Sequence, residues 1–170
     1  MKMSRNRYPM MTIWRFNMVK IVIDTREQDP LPVRNAEKGT CFTGDYSVKG
    51  LEDYIAIERK SIPDLVSSVT HGRKRFENEC RRMKGLLFRR LVIIGTEQDI
   101  WKHNYRSKTN PKSVIHTLEA WEVRFDLPYV FIPTVEEAAR YVERKLHNCC
   151  YEFAVRGKKA LKAKVDDENG

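Results

Sequence analysis

The 170-residue sequence has no apolar run that approaches the length of a membrane-spanning helix, and its first twenty residues lack the apolar core of a signal peptide. It also has no internal repeat and no low-complexity tract. With 41% hydrophobic and 10% aromatic residues, it has enough core-forming side chains to argue against global disorder. We therefore expect one globular domain of an intracellular protein, in the cytoplasm or nucleoid or in the nucleus.

Cysteine is sparse, and its spacing is not that of a metal site. The four cysteines are Cys41, Cys80, Cys149 and Cys150. No two of them have Cys-x-x-Cys spacing, and no matching pair of histidines accompanies them. A zinc site is therefore not expected. Reduced thiols fit this distribution best.

Acidic residues are missing from two basic stretches of the chain. Residues 1–20 contain five basic side chains and no acid, and residues 101–112 contain four and no acid. Residues 71–90 contain eight basic side chains against two acids, and the whole chain has a net charge of +9. Lys and Arg neutralise phosphates, so this charge favours a nucleic-acid partner, although a solvated helix face is the alternative for residues 71–90. The candidate DNA-binding residues in that stretch are Arg73, Lys74, Arg75, Arg81 and Arg82.

Two carboxylates and a lysine follow β-prone segments in a pattern suited to metal binding. Residues 54–57 are apolar and predict a buried strand that ends at Glu58. Because side chains alternate along a strand, Glu58 and Lys60 point the same way. Asp45 begins a second β-prone stretch, which a turn folds back beside the first. Asp45 and Glu58 are then placed to hold one hard cation such as Mg²⁺, with Lys60 beside its water or phosphate. The alternative is a set of ordinary solvated charges on an edge strand.

A second cluster of charge follows the buried-strand signal at residues 20–23. Polar residues at the carboxyl end of a central strand are often functional in α/β proteins. Asp24 and Glu27 add charge to the same candidate metal site, and Arg26 pairs with one of them or with a phosphate. A turn closed by a local salt bridge is the alternative.

Taken in order, these motifs resemble the XPF-type nuclease domain of the PD-(D/E)XK, or restriction-endonuclease-like, superfamily. The segments that carry the resemblance are Ile21-Val22-Ile23-Asp24-Thr25-Arg26-Glu27, Gly44-Asp45-Tyr46, Ile57-Glu58-Arg59-Lys60-Ser61-Ile62-Pro63-Asp64-Leu65 and Gly72-Arg73. The resemblance covers residues 19–155. It implies an α/β fold with a mixed central sheet flanked by helices, and a metal-dependent endonuclease that cuts branched, flap or fork DNA with Mg²⁺ or Mn²⁺.

The resemblance also implies roles for individual residues. Asp45, Glu58 and Asp24 are expected to hold the metal, and Lys60 to assist the attacking water or stabilise charge on the phosphate. Glu27 completes the acidic catalytic set. Arg26, Arg59 and Arg73 are expected to contact DNA, together with the other basic residues of the 71–90 stretch.

Many members of the family continue into a tandem helix-hairpin-helix domain, for which residues after 155 leave no room in this sequence. We expect a basic extension at residues 1–17, a nuclease domain at 18–155 and a charged tail at 156–170. We also expect a homodimer, or a heteromer with a DNA-binding subunit. Two other functions remain open: a catalytically inert DNA-binding subunit of a nuclease complex, and a junction-resolving or sequence-specific nuclease of the same superfamily.

The remaining elements follow from periodicity and capping. Ile62, Leu65, Val66 and Val69 form a helical stripe behind the N-cap residue Ser61. Further helices are predicted after Gly72 to about residue 83, at 111–125 and from Thr134 to about 155, with strands at 91–95 and 129–132. The segment between residues 96 and 111 is predicted to be a loop or a short helix near the substrate. The apolar stripe of the final helix packs either on its own sheet or on a second subunit.

Overall fold

Six strands form one mixed sheet in the part of the chain that the structure describes. A computed structural model describes the chain from residue 19 to residue 168, and its side chains to residue 157. The strands are β1 (Ile21–Asp24), β2 (Ala36–Gly39), β3 (Tyr46–Val48), β4 (Ile55–Ser61), β5 (Phe88–Ile94) and β6 (Tyr129–Ile132). Their order in the sheet is β2-β1-β3-β4-β5-β6.

Strand β3 is the one strand of the sheet that runs against the others. It pairs antiparallel with both β1 and β4, whereas β1 pairs parallel with β2, and β4, β5 and β6 pair parallel in sequence. The carboxyl ends of β1, β2 and β4 therefore meet at one edge of the sheet. The chain enters β3 at that same edge, so the residue before β3 lies there too.

Five helices accompany the sheet in the described residues. They are α1 (Ile62–Val69), α2 (Arg73–Lys84), α3 (Glu97–Trp101), α4 (Pro111–Phe125) and α5 (Val135–Glu168). The Ser61 hydroxyl accepts a hydrogen bond from the Asp64 backbone N–H, so Ser61 caps α1 as its sequence predicts. None of the described helices is long and apolar enough to cross a membrane.

The helices cover both faces of the sheet, with a separate apolar cluster on each. On one face α1, α2 and α4 pack through residues such as Leu65, Phe76 and Trp121. On the other face α5 packs through Val142 and Leu146. This is the predicted α/β architecture with a mixed sheet flanked by helices. All four cysteines are free thiols.

Several element boundaries differ from those that the sequence predicts. Strand β2 was not predicted, because Ala-Glu-Lys-Gly has no apolar alternation and the strand forms at the edge of the sheet. Strands β4 and β5 are longer than their apolar runs. Helix α5 continues to Glu168, past the residue 155 expected from its stripe. Of the two alternatives for the apolar stripe of α5, the structure shows packing on the chain's own sheet. The predicted basic extension, residues 1–17, falls outside the described residues.

Candidate active site

The predicted acidic residues come from three segments that meet at one edge of the sheet. Asp24 is the last residue of β1, Asp45 immediately precedes β3, and Glu58 and Lys60 belong to β4. Tyr46 pairs with Ile57 in the antiparallel ladder, and the Asp45 backbone N–H donates to the Ile57 carbonyl at 2.9 Å. Asp45 therefore lies next to the Glu58 segment of β4, close enough for its charge to act on the Glu58 carboxyl.

Glu58 is a buried carboxylate with one free oxygen. It is only 4% exposed. Its Oε1 accepts a hydrogen bond from Lys60 Nζ at 2.8 Å, whereas its Oε2 is buried without a hydrogen-bond partner among the described residues. Burial raises the pKa of Glu58 well above its usual value, and the negative charges of Asp45 and Glu79 raise it further against the opposing effect of Lys60. The second oxygen is thus a buried acceptor to which no described group donates.

Asp45 is the second carboxylate of this site. Its Oδ2 accepts a hydrogen bond from the Arg59 backbone N–H at 2.7 Å. Burial raises the pKa of Asp45 to about 7, and repulsion from Glu27 and Glu79 contributes, although the Arg59 N–H and the charge of Lys60 oppose the rise. Two acids with raised pKa values at one place form a site that a positive ion stabilises.

Asp24 is buried, and both of its oxygens accept hydrogen bonds. Its Oδ1 accepts from the Arg26 backbone N–H at 2.9 Å and from Arg26 Nε at 2.6 Å. Its Oδ2 accepts from Arg26 Nη2 at 3.0 Å and from the Cys41 backbone N–H at 2.8 Å. Burial acts to raise the pKa of Asp24, but these bonds outweigh it and the pKa lies below its usual value. Asp24 therefore fastens Arg26 and the loop at Cys41 to the end of β1.

Two other predicted residues lie nearby with partners of their own. Glu27 accepts a hydrogen bond from the Asp29 backbone N–H at 2.7 Å and lies within electrostatic range of Asp45. The Arg59 guanidinium pairs with Asp29 at 2.8 Å and is mostly buried. The Arg26 side chain, although paired with Asp24, remains 67% exposed at the edge of the site. Of these two arginines, Arg26 is the more accessible to a phosphate.

One face of α2 is committed to packing against α4. Glu77 accepts a hydrogen bond from Trp121 Nε1 at 3.0 Å and forms ion pairs with Arg73, Arg81 and Arg124. The Arg81 guanidinium also lies 5.6 Å from the centroid of the Phe125 ring. The structure thus places two of the predicted DNA-binding residues, Arg73 and Arg81, in a cluster that joins two helices.

Another face of α2 borders the acidic site. Lys60 Nζ lies 4.2 Å from the centroid of the Phe76 ring, and Glu79, one turn further along α2, is within electrostatic range of Asp45 and Glu58. Arg75 and Arg82 lie four residues before and three residues after Glu79, so they share its side of the helix. Along with Lys74 they are exposed, with no ion pair in the part of the chain whose side chains are described.

Glu79 was not among the residues that the sequence singled out. It lies nineteen residues after Lys60 on a helix with six basic residues, so its charge resembles a minor interruption of a basic stretch. The helical spacing places Glu79 on the same side of α2 as Phe76. That spacing points to the acidic site only once the contact between Phe76 and Lys60 is known.

The described side chains do not contain a ready-made cluster of three or more metal-ligating residues. They do contain two neighbouring carboxylates, Asp45 and Glu58, and one oxygen of Glu58 is buried and unpartnered. Mg²⁺ is commonly held by one or two carboxylates, with water and substrate phosphate completing its coordination. The residues present therefore fit a magnesium-type ion that shares its coordination with a substrate.

The segment predicted to lie near the substrate forms α3 and a loop against α1. This loop and α1 enclose a cavity of about 420 Å³ that none of the four predicted acids lines. Tyr105 of the loop packs on the apolar cluster of α1, α2 and α4, and its hydroxyl donates to the Thr109 carbonyl at 2.9 Å. The segment is therefore at least partly structural.

Comparison with known proteins agrees with this architecture. The sequence matches the ERCC4 domain over residues 17–144, and no curated protein matches it. XPF from Aeropyrum pernix superposes with a TM-score of 0.62 at 18% identity, over 76% of this chain and 61% of that chain. XPF from Aeropyrum pernix in complex with DNA gives 0.61 at 19% identity, over 79% of this chain and 66% of that one.

The solved structures establish the fold, and the domain match establishes the family. At 18 and 19% identity the superpositions support the restriction-endonuclease-like arrangement of sheet and helices. The chain spans less than two thirds of the length of either solved chain. Because the ERCC4 domain covers well over half of the sequence and contains all the strands of the sheet, the chain belongs to the ERCC4 domain family of nucleases.

Proposed function

We propose that the protein is a divalent-metal-dependent endonuclease that hydrolyses a phosphodiester bond in branched, flap or fork DNA. The observation that carries this proposal is the buried Oε2 of Glu58, which has no partner among the described residues and lies beside Asp45 and Lys60. A buried carboxylate oxygen without a donor is unfavourable unless something binds it in the working protein. Membership of a nuclease family supports the same reaction.

Asp45 and Glu58 are the proposed ligands of Mg²⁺ or Mn²⁺. When bound, the metal polarises the phosphate and lowers the pKa of a coordinated water. The assignment of Asp24 as a third ligand stays a prediction. Its oxygens already accept four hydrogen bonds from Arg26 and Cys41, so metal binding by Asp24 requires Arg26 to move away.

Lys60 is assigned to stabilising charge rather than to taking a proton. Burial acts to lower the pKa of Lys60, but contact with Glu58 and the charges of Glu79 and Asp45 raise it above its usual value. Lys60 is therefore an ammonium ion at neutral pH. An ammonium held in a buried site neutralises negative charge that develops on the phosphate in the transition state. Glu27 and Glu79 are the further acids near Asp45 and Lys60 in the proposed site.

Exposed basic residues are the proposed DNA contacts. Lys74, Arg75 and Arg82 are exposed and have no ion pair among the described side chains, and Arg26 is 67% exposed although it pairs with Asp24. Arg59, Arg73 and Arg81 are held in ion pairs. The proposed assembly is a homodimer or a heteromer with a DNA-binding subunit. This assembly rests on the family resemblance, because the apolar stripes of α4 and α5 are covered within the chain.

The proposal is tested with end-labelled flap, fork, four-way-junction and plain duplex DNA in Mg²⁺. We expect wild-type protein to cut branched DNA in preference to duplex, and Glu58→Gln to lower the cleavage rate by roughly 100-fold or more because the site loses a metal ligand. Binding in Ca²⁺ should persist in Glu58→Gln, since affinity comes mainly from phosphate contacts. Glu119→Gln on the exposed surface of α4 is the matched control and should cut normally.

The same panel separates the other possible functions of the protein. Undiminished cleavage by Glu58→Gln contradicts the proposed site. DNA binding without cleavage by wild-type protein in Mg²⁺ and in Mn²⁺ identifies an inert DNA-binding subunit instead. Cleavage restricted to four-way junctions, or to one sequence in plain duplex, identifies a junction-resolving or a sequence-specific nuclease.

A further inference from the structure

Phe42 is an exposed aromatic side chain between two buried neighbours. Its side chain is 54% exposed, while Cys41 is 2% exposed and Thr43 is 1% exposed. Exposing a large apolar ring is unfavourable in water, and a mobile loop would readily turn such a ring inward. The burial of both neighbours prevents that movement, so the chain holds the ring in solvent.

Hydrogen bonds tie the loop of Phe42 to the sheet on both sides of the ring. Before it, the Cys41 backbone N–H donates to Asp24 at 2.8 Å and its carbonyl accepts from Arg26 at 3.3 Å. After it, the Asp45 backbone N–H donates to the Ile57 carbonyl at 2.9 Å. Gly44 has φ +76°, and a Cβ there would lie 3.1 Å from the Ile57 carbonyl oxygen. The loop therefore packs closely against β4, and its shape is fixed.

The topology carries this loop across the candidate active site. The loop joins β2 to β3, and β1 lies between those two strands in the sheet. The loop must therefore cross the carboxyl end of β1, above Asp24, before it reaches Asp45. Phe42 follows Cys41, whose N–H bonds to Asp24, and precedes Asp45 by three residues, so the segment that carries the exposed ring borders the candidate metal site.

We propose that Phe42 is a stacking platform for an unpaired base of the DNA strand that passes the active site. The inference rests on the proposed function. An aromatic face binds any unpaired base without regard to sequence, whereas bases inside a duplex are already stacked on their neighbours. A rigid aromatic ring next to the acidic site therefore selects DNA in which the bases next to the cut are unpaired. The buried hydrogen bonds of Asp24 serve to hold the ring in position.

Photo-cross-linking tests this proposal directly. Flap DNA carries 5-iodouracil at successive positions around the junction and is bound to the full chain in Ca²⁺, so that binding occurs without cleavage. We expect a cross-link to Phe42 from unpaired positions adjoining the cut, identified by mass spectrometry. We also expect Phe42→Leu to weaken binding of flap DNA by roughly 5- to 150-fold while leaving the binding of plain duplex unchanged. Leucine keeps the apolar contact and lacks the aromatic face.

Tyr54 provides a matched control. It is 52% exposed, but it lies just before β4 and hence at the opposite edge of the sheet. Tyr54→Leu should bind and cut as wild type does, and no cross-link to Tyr54 should form. Equal flap binding by Phe42→Leu, or cross-links that bypass Phe42, would overturn the platform while cleavage by wild-type protein left the proposed function standing. A wild-type chain that neither binds nor cuts DNA would refute the proposed function itself.

Discussion

Individual carboxylates in this protein differ sharply in what their oxygens contact. Asp24 and Glu143 are both buried, and each is held by an arginine and by a backbone N–H. Glu58 is also buried, but one of its oxygens meets no donor in the described structure. Carboxylates whose hydrogen bonds are satisfied stabilise the fold, whereas an unsatisfied one next to a second acid points to a bound cation. Hydrogen-bond partners, more than burial, distinguish Glu58 from Asp24 and Glu143.

Glu143 is expected to make the stability of the fold depend on pH. Its Oε1 accepts from the Arg34 backbone N–H at 2.6 Å and its Oε2 from Arg34 Nη2 at 2.8 Å. Burial acts to raise the pKa of Glu143, but these bonds lower it below its usual value of 4.5. Because the pKa of Glu143 is lower in the folded than in the unfolded protein, the charge of Glu143 stabilises the fold at pH values above its unfolded pKa. This stabilisation is lost as the pH falls through the folded pKa of Glu143.

We therefore expect Glu143→Gln to lower the free energy of unfolding by about 1 kcal/mol at pH 7. The difference from wild type should shrink as pH falls below about 4.5, the usual pKa of Glu143. Urea titrations of both proteins at a series of pH values measure this difference. A difference that stays constant down to pH 2 would show that the Glu143 charge does not stabilise the fold.

Among the elements, α2 combines two functions on different faces. The Glu77 face joins α2 to α4 through Trp121 and Arg124, and Glu77 also holds Arg73 and Arg81 of its own helix. The Glu79 face carries exposed basic residues beside the acidic site. The sequence alone does not divide the six basic residues of α2 into groups, because the division depends on which face of the helix packs against the rest of the protein. The predicted DNA-binding set therefore separates into two groups.

The two groups predict different responses to mutation. Arg75→Ala with Arg82→Ala should weaken DNA binding and make the slope of log affinity against log salt shallower by roughly 2, about 0.9 for each phosphate that is no longer neutralised. Arg73→Ala with Arg81→Ala should mainly lower the melting temperature, since it removes partners of Glu77. Fluorescence anisotropy in Ca²⁺ across a salt series and a thermal melt distinguish the pairs. Equal salt slopes for both double variants would contradict this division of α2.

Elements with a strong local pattern were predictable from the sequence, and those formed by distant contacts were not. Helix α1 was fixed by an apolar stripe and the Ser61 cap, and β4 by its apolar run. Strand β2 has neither signal, because it forms only by pairing with β1 at the sheet edge. The acids of the candidate site were predictable as a set. The hydrogen bond from Cys41 to Asp24 and the approach of Glu79 to Asp45 were not predictable, because each joins residues that are distant in sequence.

At the scale of the whole molecule, the sheet order assembles the site. Inserting β3 antiparallel between the parallel pair β1–β2 and the three parallel strands β4, β5 and β6 places its first residues beside the carboxyl ends of β1 and β4. Helix α2 brings Glu79 within electrostatic range of the acids that meet there. The two helical layers cover the stripes of α4 and α5, so an interface between subunits must use other surfaces.

Asp45 and Glu58 are proposed to bind one divalent metal ion together. Electron paramagnetic resonance of Mn²⁺, titrated with protein in the absence of DNA, measures this binding without any reliance on catalysis. We expect wild-type protein and Glu119→Gln to bind Mn²⁺ with similar affinity, and Glu58→Gln to bind it at least about tenfold more weakly. Equal binding of Mn²⁺ by wild-type protein and Glu58→Gln would contradict the claim.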